Sequence, residues 1–175
     1  MTDNPLLIEH DLPFGAPPLD QIRAEHFPPA FDAALEAHRR EIRAIAGLED
    51  PASFENTVEA LESSGSLLNR VRDLFFNLRS AHTNDEMQAV ARDISPRLAA
   101  HRDEILFDRT LFQRVRRVWE QRAELDLGSE PRILLEETYT AFTRGGAGLG
   151  DAEQKELGEL NHRLSVLTVR FIENV

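Results

Sequence analysis

The sequence predicts an all-α protein, a bundle or array of about six helices. Apolar residues recur at steps of three and four through several long segments, no stretch keeps a period of two, and no Asn-Gly or Asp-Gly turn joins alternating runs. A length of 175 residues with 41% hydrophobic content suits one domain with a real core.

The elements follow in order. Residues 1–19 hold four of the nine prolines and little periodicity, and read as an extended arm before a helical domain over 20–175. Pro17-Pro18 favours polyproline or turn geometry. A short helical turn is expected at Asp20–Glu25. Pro28 and Pro29 can occupy a helix's first turn, where a missing N–H costs nothing. Phe31, Leu35, His38, Ile42 and Ile45 then mark one face of a helix that Gly47 stops. Ser53 is a good N-cap for the next. Phe54, Val58, Leu61, Gly65, Leu68, Val71, Phe75, Leu78 and His82 keep phase, which favours one long helix with a weak point at Gly65. A glycine inside a helix costs about 1 kcal/mol against alanine, so a close neighbour or a bend is expected there. Thr83-Asn84-Asp85-Glu86 fits a capping box. Pro96 should kink or break the helix that follows. Asp108 caps a helix carrying Leu111, Val115, Val118, Trp119 and Arg122, and Gly128-Ser129-Glu130-Pro131 opens another, ended by Gly145-Gly146. Asp151-x-x-Gln154 opens the last, where Leu157, Leu160, Leu164, Leu167 and Phe171 step in helical phase. That helix is still in phase at Phe171–Val175 with no stop signal, which favours a chain cut from something larger over an ordinary terminal helix.

Composition excludes several functions. With 31 acidic and 20 basic residues the formal net charge is −11, unsuited to phosphates or an anionic membrane surface. There is no cysteine, hence no disulfide, thiolate nucleophile or Cys-ligated zinc. Met1–Pro13 lacks the basic start and apolar run of a secretory signal, and no window approaches the roughly 20 apolar residues of a membrane span. The expectation is a soluble cytoplasmic protein with no nucleic-acid or membrane partner.

The residues suggest no self-contained active site. None of the six histidines (His10, His26, His38, His82, His101 and His162) is followed by Glu, so the His-Glu-x-x-His zinc motif is absent. Glu159-Leu160-Asn161-His162 is the only Glu-x-x-His pair, where a di-iron bundle needs two. A metal site built on Glu159 and His162 would need partners the sequence does not show. His38 and His82 fall on apolar faces and read as structural, hydrogen-bonded histidines. Gly145 to Gly150 lacks the lysine of a phosphate loop and follows a helix, so it reads as a flexible connection. Ser63, Ser64 and Ser66 have no base that sequence identifies. Arg114, Arg116 and Arg117, offset by Glu120 and Glu124, read as a solvated helix face. No catalytic, cofactor-binding or metal-binding residue is assigned.

Several segments carry a resemblance. Phe54-Glu55-Asn56-Thr57-Val58-Glu59-Ala60-Leu61-Glu62-Ser63-Ser64-Gly65 resembles the F-x-N-T-[IV]-x-A-L-E-x-S-G signature of the thimet oligopeptidase family of zinc metallopeptidases. Leu68 to Val71 and Leu74-Phe75-Phe76 follow as in that family. Ala81-His82-Thr83-Asn84-Asp85-Glu86 is closer to its bacterial peptidyl-dipeptidase branch than to oligopeptidase A, as are Asn4-Pro5-Leu6-Leu7, Leu12-Pro13-Phe14, Asp20-Gln21-Ile22 and Pro29-Ala30-Phe31-Asp32. Leu111-Phe112, Val115, Ala141-Phe142, Gly145-Gly146-Ala147, Leu149 and Phe171-x-x-Asn174 complete the match, in order over the whole chain, against roughly the N-terminal quarter of the family's usual length.

The resemblance implies the N-terminal helical lobe of a zincin-like, neurolysin-like peptidase, where two lobes flank a narrow channel that admits short peptides. The family's zinc, held by His-Glu-x-x-His and a downstream Glu, would belong to the intact protein and has no counterpart here. This chain would form part of the channel wall, with the rest of the peptidase as its partner and short peptides as substrates of the whole. Asn56-Thr57 would serve capping and helix packing. The alternative is a free-standing helical scaffold that binds peptides or another protein without catalysis; leucines left exposed along 157–171 would count against it.

Overall fold

The computed structural model describes residues 4–8, 17–81 and 83–174. It is 75% helical, and no described residue lies in a strand. A 3₁₀ turn (Ala24–His26) leads into α1 (Phe27–Ala46). A π-helical turn (Phe54–Glu59) runs on into α2 (Ala60–Ser63), followed by α3 (Ser66–Ala81), α4 (Asp85–Leu106), α5 (Arg109–Glu120), α6 (Ser129–Arg144) and α7 (Asp151–Glu173). Six of these helices have 12 or more residues, as expected from the periodicity.

α1 is the spine. Its N-terminal half buries Phe27 and Phe31 against Phe75 of α3, with the Phe27–Phe75 and Phe31–Phe75 rings edge-on at 5.0 and 5.7 Å. That geometry suits the ring quadrupoles as well as the apolar burial. Val71, Met87, Ala91 and Ile94 extend this core through α3 and α4. The C-terminal half of α1 buries Ile42 and Ile45 with Leu111 and Val115 of α5 and Phe142 of α6. A third cluster joins Phe54 and Val58 to Val118 and Leu135.

Several expectations shift by a residue or a turn. Of the predicted arm, Asn4–Ile8 forms a turn whose Leu6 is buried in the first core and whose Asn4 Nδ2 donates to His26 O at 2.7 Å; residues 9–16 lie outside the described residues. The expected long helix over 54–82 is interrupted at Ser64–Gly65, where Gly65 takes φ +71°. Pro96 neither ends nor divides α4. Buried Ala91 and Ile94 before it, and His101 and Leu106 after it, hold both halves to one surface despite the missing N–H hydrogen bond. The N-caps are Asn84, whose side chain accepts from Met87 N, and Gly150, whose N–H donates to Glu153 Oε2 at 2.9 Å. Asp108 caps α5 as expected, accepting from Leu111 N at 2.9 Å.

The apolar stripe of α7 faces outward, with Leu160, Leu164, Leu167 and Phe171 at 53, 63, 57 and 70% exposure. α7 lies instead on α4 through its small and polar side. Val169 is buried, Gly158 sits beside Phe107 and Asp103, and Asn161 Nδ2 donates to Asp103 Oδ1 at 2.9 Å.

Candidate functional site

The signature segment builds a polar hub. Ser53 Oγ accepts from Asn56 N at 3.2 Å, and Asn56 Oδ1 accepts from Ser53 N at 2.9 Å, a reciprocal cap on the π-helical turn. The same Oδ1 also accepts from the Thr57 hydroxyl at 2.8 Å and from Arg114 Nη2 at 2.9 Å. Thr57 is fully buried, and Arg114 is buried with its Nη1 donating to Leu48 O and Asp50 O at 2.9 and 3.0 Å. Arg114 is therefore no solvated residue: it ties α5 to the loop after α1. Its neighbours Arg116 and Arg117 are exposed, as expected. Asn56 and Thr57 thus have the capping and packing role that the resemblance implied.

A second polar cluster lies where α1, α4 and the α2–α3 break meet. His101 Nε2 is 3.0 Å from His38 Nδ1, and His38 Nε2 is 3.1 Å from Ser64 Oγ. Ser64 Oγ donates to Leu61 O at 2.7 Å. At the other end, His101 Nδ1 lies 3.4 Å from Glu104 Oε2, within ion-pair range but not aligned for a hydrogen bond, so this buried nitrogen has no hydrogen-bond partner. Arg39 Nε donates to the same carboxylate oxygen at 2.8 Å. Gly65 has the close neighbour its place in the sequence suggested: a Cβ there would come within 2.9–3.0 Å of the His38 ring.

Burial holds both imidazoles below their ordinary value, His38 further so by facing His101 and against the pull of Glu41. For His101, Glu104 opposes the burial while Arg39 adds to it. Burial pushes the Glu104 carboxyl up, but Arg39 and His101 outweigh it and leave the group below its usual range. Asp103, under α7, is raised by burial against the donor from Asn161 and the charge of Arg102.

Serine, imidazole and a second orienting group follow, in outline, the order of a nucleophilic triad. The arrangement lacks what such chemistry needs, because the Gly65 N–H beside Ser64 donates to Glu41 Oε2 at 2.6 Å. A carboxylate there occupies the donor an oxyanion would require. What the chain of groups can do is hold and pass a proton. Spacing alone marks His38 as structural and leaves Ser64 without a base; the structure supplies His38 as its partner. His101 carries no such mark in the sequence motifs, although it continues Met87, Ala91, Ile94 and Leu98 at helical spacing on α4.

The other candidates stay apart. Glu159 and His162 are both exposed on α7, and no three His, Cys, Asp or Glu among the described residues are placed to hold a metal ion. Ser63 and Ser66 are exposed. His26 Nδ1 accepts from Arg23 N at 3.1 Å; His10 and His82 lie outside the described residues. Gly145 to Gly150 connects α6 to α7, with Gly146 at φ +101° against Leu157 and Phe107. No described helix is long and apolar enough to cross a membrane.

The surface of α7 is the remaining candidate. Beside its outward stripe, a groove of about 660 Å³ runs between α3, α4 and α7, floored by Phe76, Leu106, Leu157 and Val169 and lined also by Arg79 and Arg144. Steps of three and four along Leu157, Leu160, Leu164, Leu167 and Phe171 are those of a seam that receives a second helix.

No family model matches the chain. It is 42% identical over 170 residues, 97% of its length, to the dipeptidyl carboxypeptidase of Escherichia coli (strain K12), and the match covers 25% of that protein. To the dipeptidyl carboxypeptidase of Salmonella typhimurium it is 40% identical over 171 residues, 98% of the chain and 25% of the relative. Oligopeptidase A of Escherichia coli (strain K12) is further off, 25% identical over 172 residues. The chain spans about a quarter of the length of the curated relatives it matches.

Proposed function

We propose, for a chain that belongs to the thimet oligopeptidase family and matches the N-terminal portion of its dipeptidyl carboxypeptidases, that it is the N-terminal helical portion of a peptidase releasing dipeptides from the C-termini of short peptides. In that role it forms part of the wall of the substrate channel and carries none of the chemistry. Zinc, bound by residues of the catalytic portion, would supply the Lewis acid of the whole cytoplasmic enzyme. The described residues of this chain do not fit such an ion, since Glu159 and His162 face solvent with no third ligand beside them.

The observation that carries this reading is identity of 40–42% along essentially the whole chain to two proteins about four times its length. The α7 stripe supports it. Four large apolar side chains, each more than half exposed at helical spacing, make a poor solvent surface and a good packing face. The same stripe counts against a free-standing scaffold, which would bury those leucines itself. The test is dipeptide release from a blocked-amino-terminus peptide. A polypeptide joining this chain to a dipeptidyl carboxypeptidase catalytic portion should cleave, and the 175-residue chain alone should not; cleavage by the chain alone would overturn the reading.

A further inference from the structure

The Ser64–His38–His101–Glu104 chain has no part in the peptidase reading, and its geometry sets how many protons it can hold. With both rings neutral only one end can be satisfied. If Ser64 donates to Leu61 O, then His38 Nε2–H must donate to Ser64, His101 Nε2–H to His38, and His101 Nδ1 turns a lone pair toward Glu104. If His101 Nδ1 instead carries its hydrogen toward Glu104, every link reverses and Ser64 no longer donates to Leu61 O. One added proton suits both ends at once: His101 donates from Nε2 to His38 while its Nδ1–H faces the Glu104 carboxylate as an ion pair at 3.4 Å, His38 donates from Nε2 and Ser64 donates to Leu61. A second added proton sets N–H against N–H across 3.0 Å, which a packed contact cannot hold.

We propose that His38 and His101 form a one-proton latch between α1 and α4. The pair holds a single proton in place and opens when a second is forced on it, freeing the His38 ring from Ser64 and Gly65 at the α2–α3 break. The surrounding charges are divided. Glu41 on α1 and Glu104 on α4 attract a proton, while Arg39 on α1 repels one. Arg43 of α1 and Asp108 at the start of α5 line the small cavity of about 140 Å³ beside His101. The α2–α3 junction offers the pair the Ser64 hydroxyl. Burial opposes charge on either ring, and both are accordingly held below the ordinary 6.5. The left-handed Gly65 gives the latch its mechanical output, because the ring packs within 2.9–3.0 Å of where any other residue's Cβ would be.

The test is imidazole ¹⁵N NMR from about pH 8 to about pH 5, with hydrogen exchange of the Ser64 amide, which is bonded to Leu61 O at 3.1 Å. The two rings should take up one proton between them before any opening. Below that step, opening at Ser64, corrected for intrinsic exchange, should grow about tenfold per pH unit, the signature of one further proton per opening. In His101→Gln the His38 midpoint should rise toward 6.5 and the pH slope at Ser64 should vanish. Two rings that each take up a proton with Ser64 exchange flat in pH would overturn the latch. So would a His38 curve unmoved in His101→Gln. Should that variant fail to fold, His38→Gln must abolish the same slope, and its persistence there refutes the proposal.

Discussion

Replacing Asn56 by alanine tests the polar hub under the signature segment. The substitution removes one oxygen that three donors share: Ser53 N, the Thr57 hydroxyl and Arg114 Nη2. Ser53 is only half-buried and can turn to water, so its loss counts for little. Thr57 is wholly buried and Arg114 nearly so. A buried donor left without its acceptor costs about 1–3 kcal/mol, and more when charged. Arg114 keeps its bonds to Leu48 O and Asp50 O, which limits its share. The expected loss is about 3–5 kcal/mol, placing this change among the most destabilising single substitutions. With a urea m-value near 2 kcal/mol/M, the midpoint should fall by about 1.5–2.5 M. Asn56→Asp keeps the oxygen and adds charge opposite Arg114, losing only the Nδ2 bond to Pro51 O, so it should cost less than half as much. Urea unfolding followed by circular dichroism measures both. A loss for Asn56→Ala below about 1 kcal/mol, or an equal loss for Asn56→Asp, would refute the account of the hub.

Three further outcomes follow. Gly65→Ala should cost about 2–4 kcal/mol, since alanine is strained at φ +71° and its methyl meets the His38 ring; a midpoint within about 0.5 kcal/mol of the parent would contradict that contact. Because His38 and His101 have folded-state values below the unfolded 6.5, the unfolded chain binds protons first as pH falls. Their contribution is thus complete well above 6.5 and is lost on acidification toward the folded values, a slope that urea midpoints should show and that His38→Gln/His101→Gln should flatten. Leu164→Asp with Leu167→Asp should leave the unfolding midpoint of this chain within about 0.5 kcal/mol, because both side chains are already more than half exposed; a larger loss would mean that the stripe is packed within the chain.

Local signals are readable where a side chain and its partner lie close in sequence. The Ser53 cap, the Asp108 cap, the stop at Gly47 and the buried face of α1 all follow from spacing alone. Gly65 is legible as a crowded point, though not as a break, because helical phase continues across it and only the His38 ring explains the left-handed turn. Arg114 looks like its solvated neighbours; its acceptors are 58–66 residues away and two of them are backbone carbonyls, which leave no trace in side-chain patterning. Pro96 looks like a breaker because propensity takes no account of the burial on both sides of it. The apolar stripe on α7 is real, but periodicity says that a stripe is apolar, not which neighbour covers it. Here Gly158, Asn161 and Val169 let α7 approach α4 on another side, and the stripe stays outside.

The central claim is that this chain works as one part of a larger dipeptidyl carboxypeptidase. The most direct measurement replaces the matching N-terminal portion of the Escherichia coli dipeptidyl carboxypeptidase with this chain and assays dipeptide release from a short peptide. The chimera should cleave, and Leu164→Asp/Leu167→Asp in the chimera should abolish cleavage while the helical content of the chain is kept. A chimera that folds and is inactive, or one whose activity is indifferent to those two charges on α7, would contradict the claim.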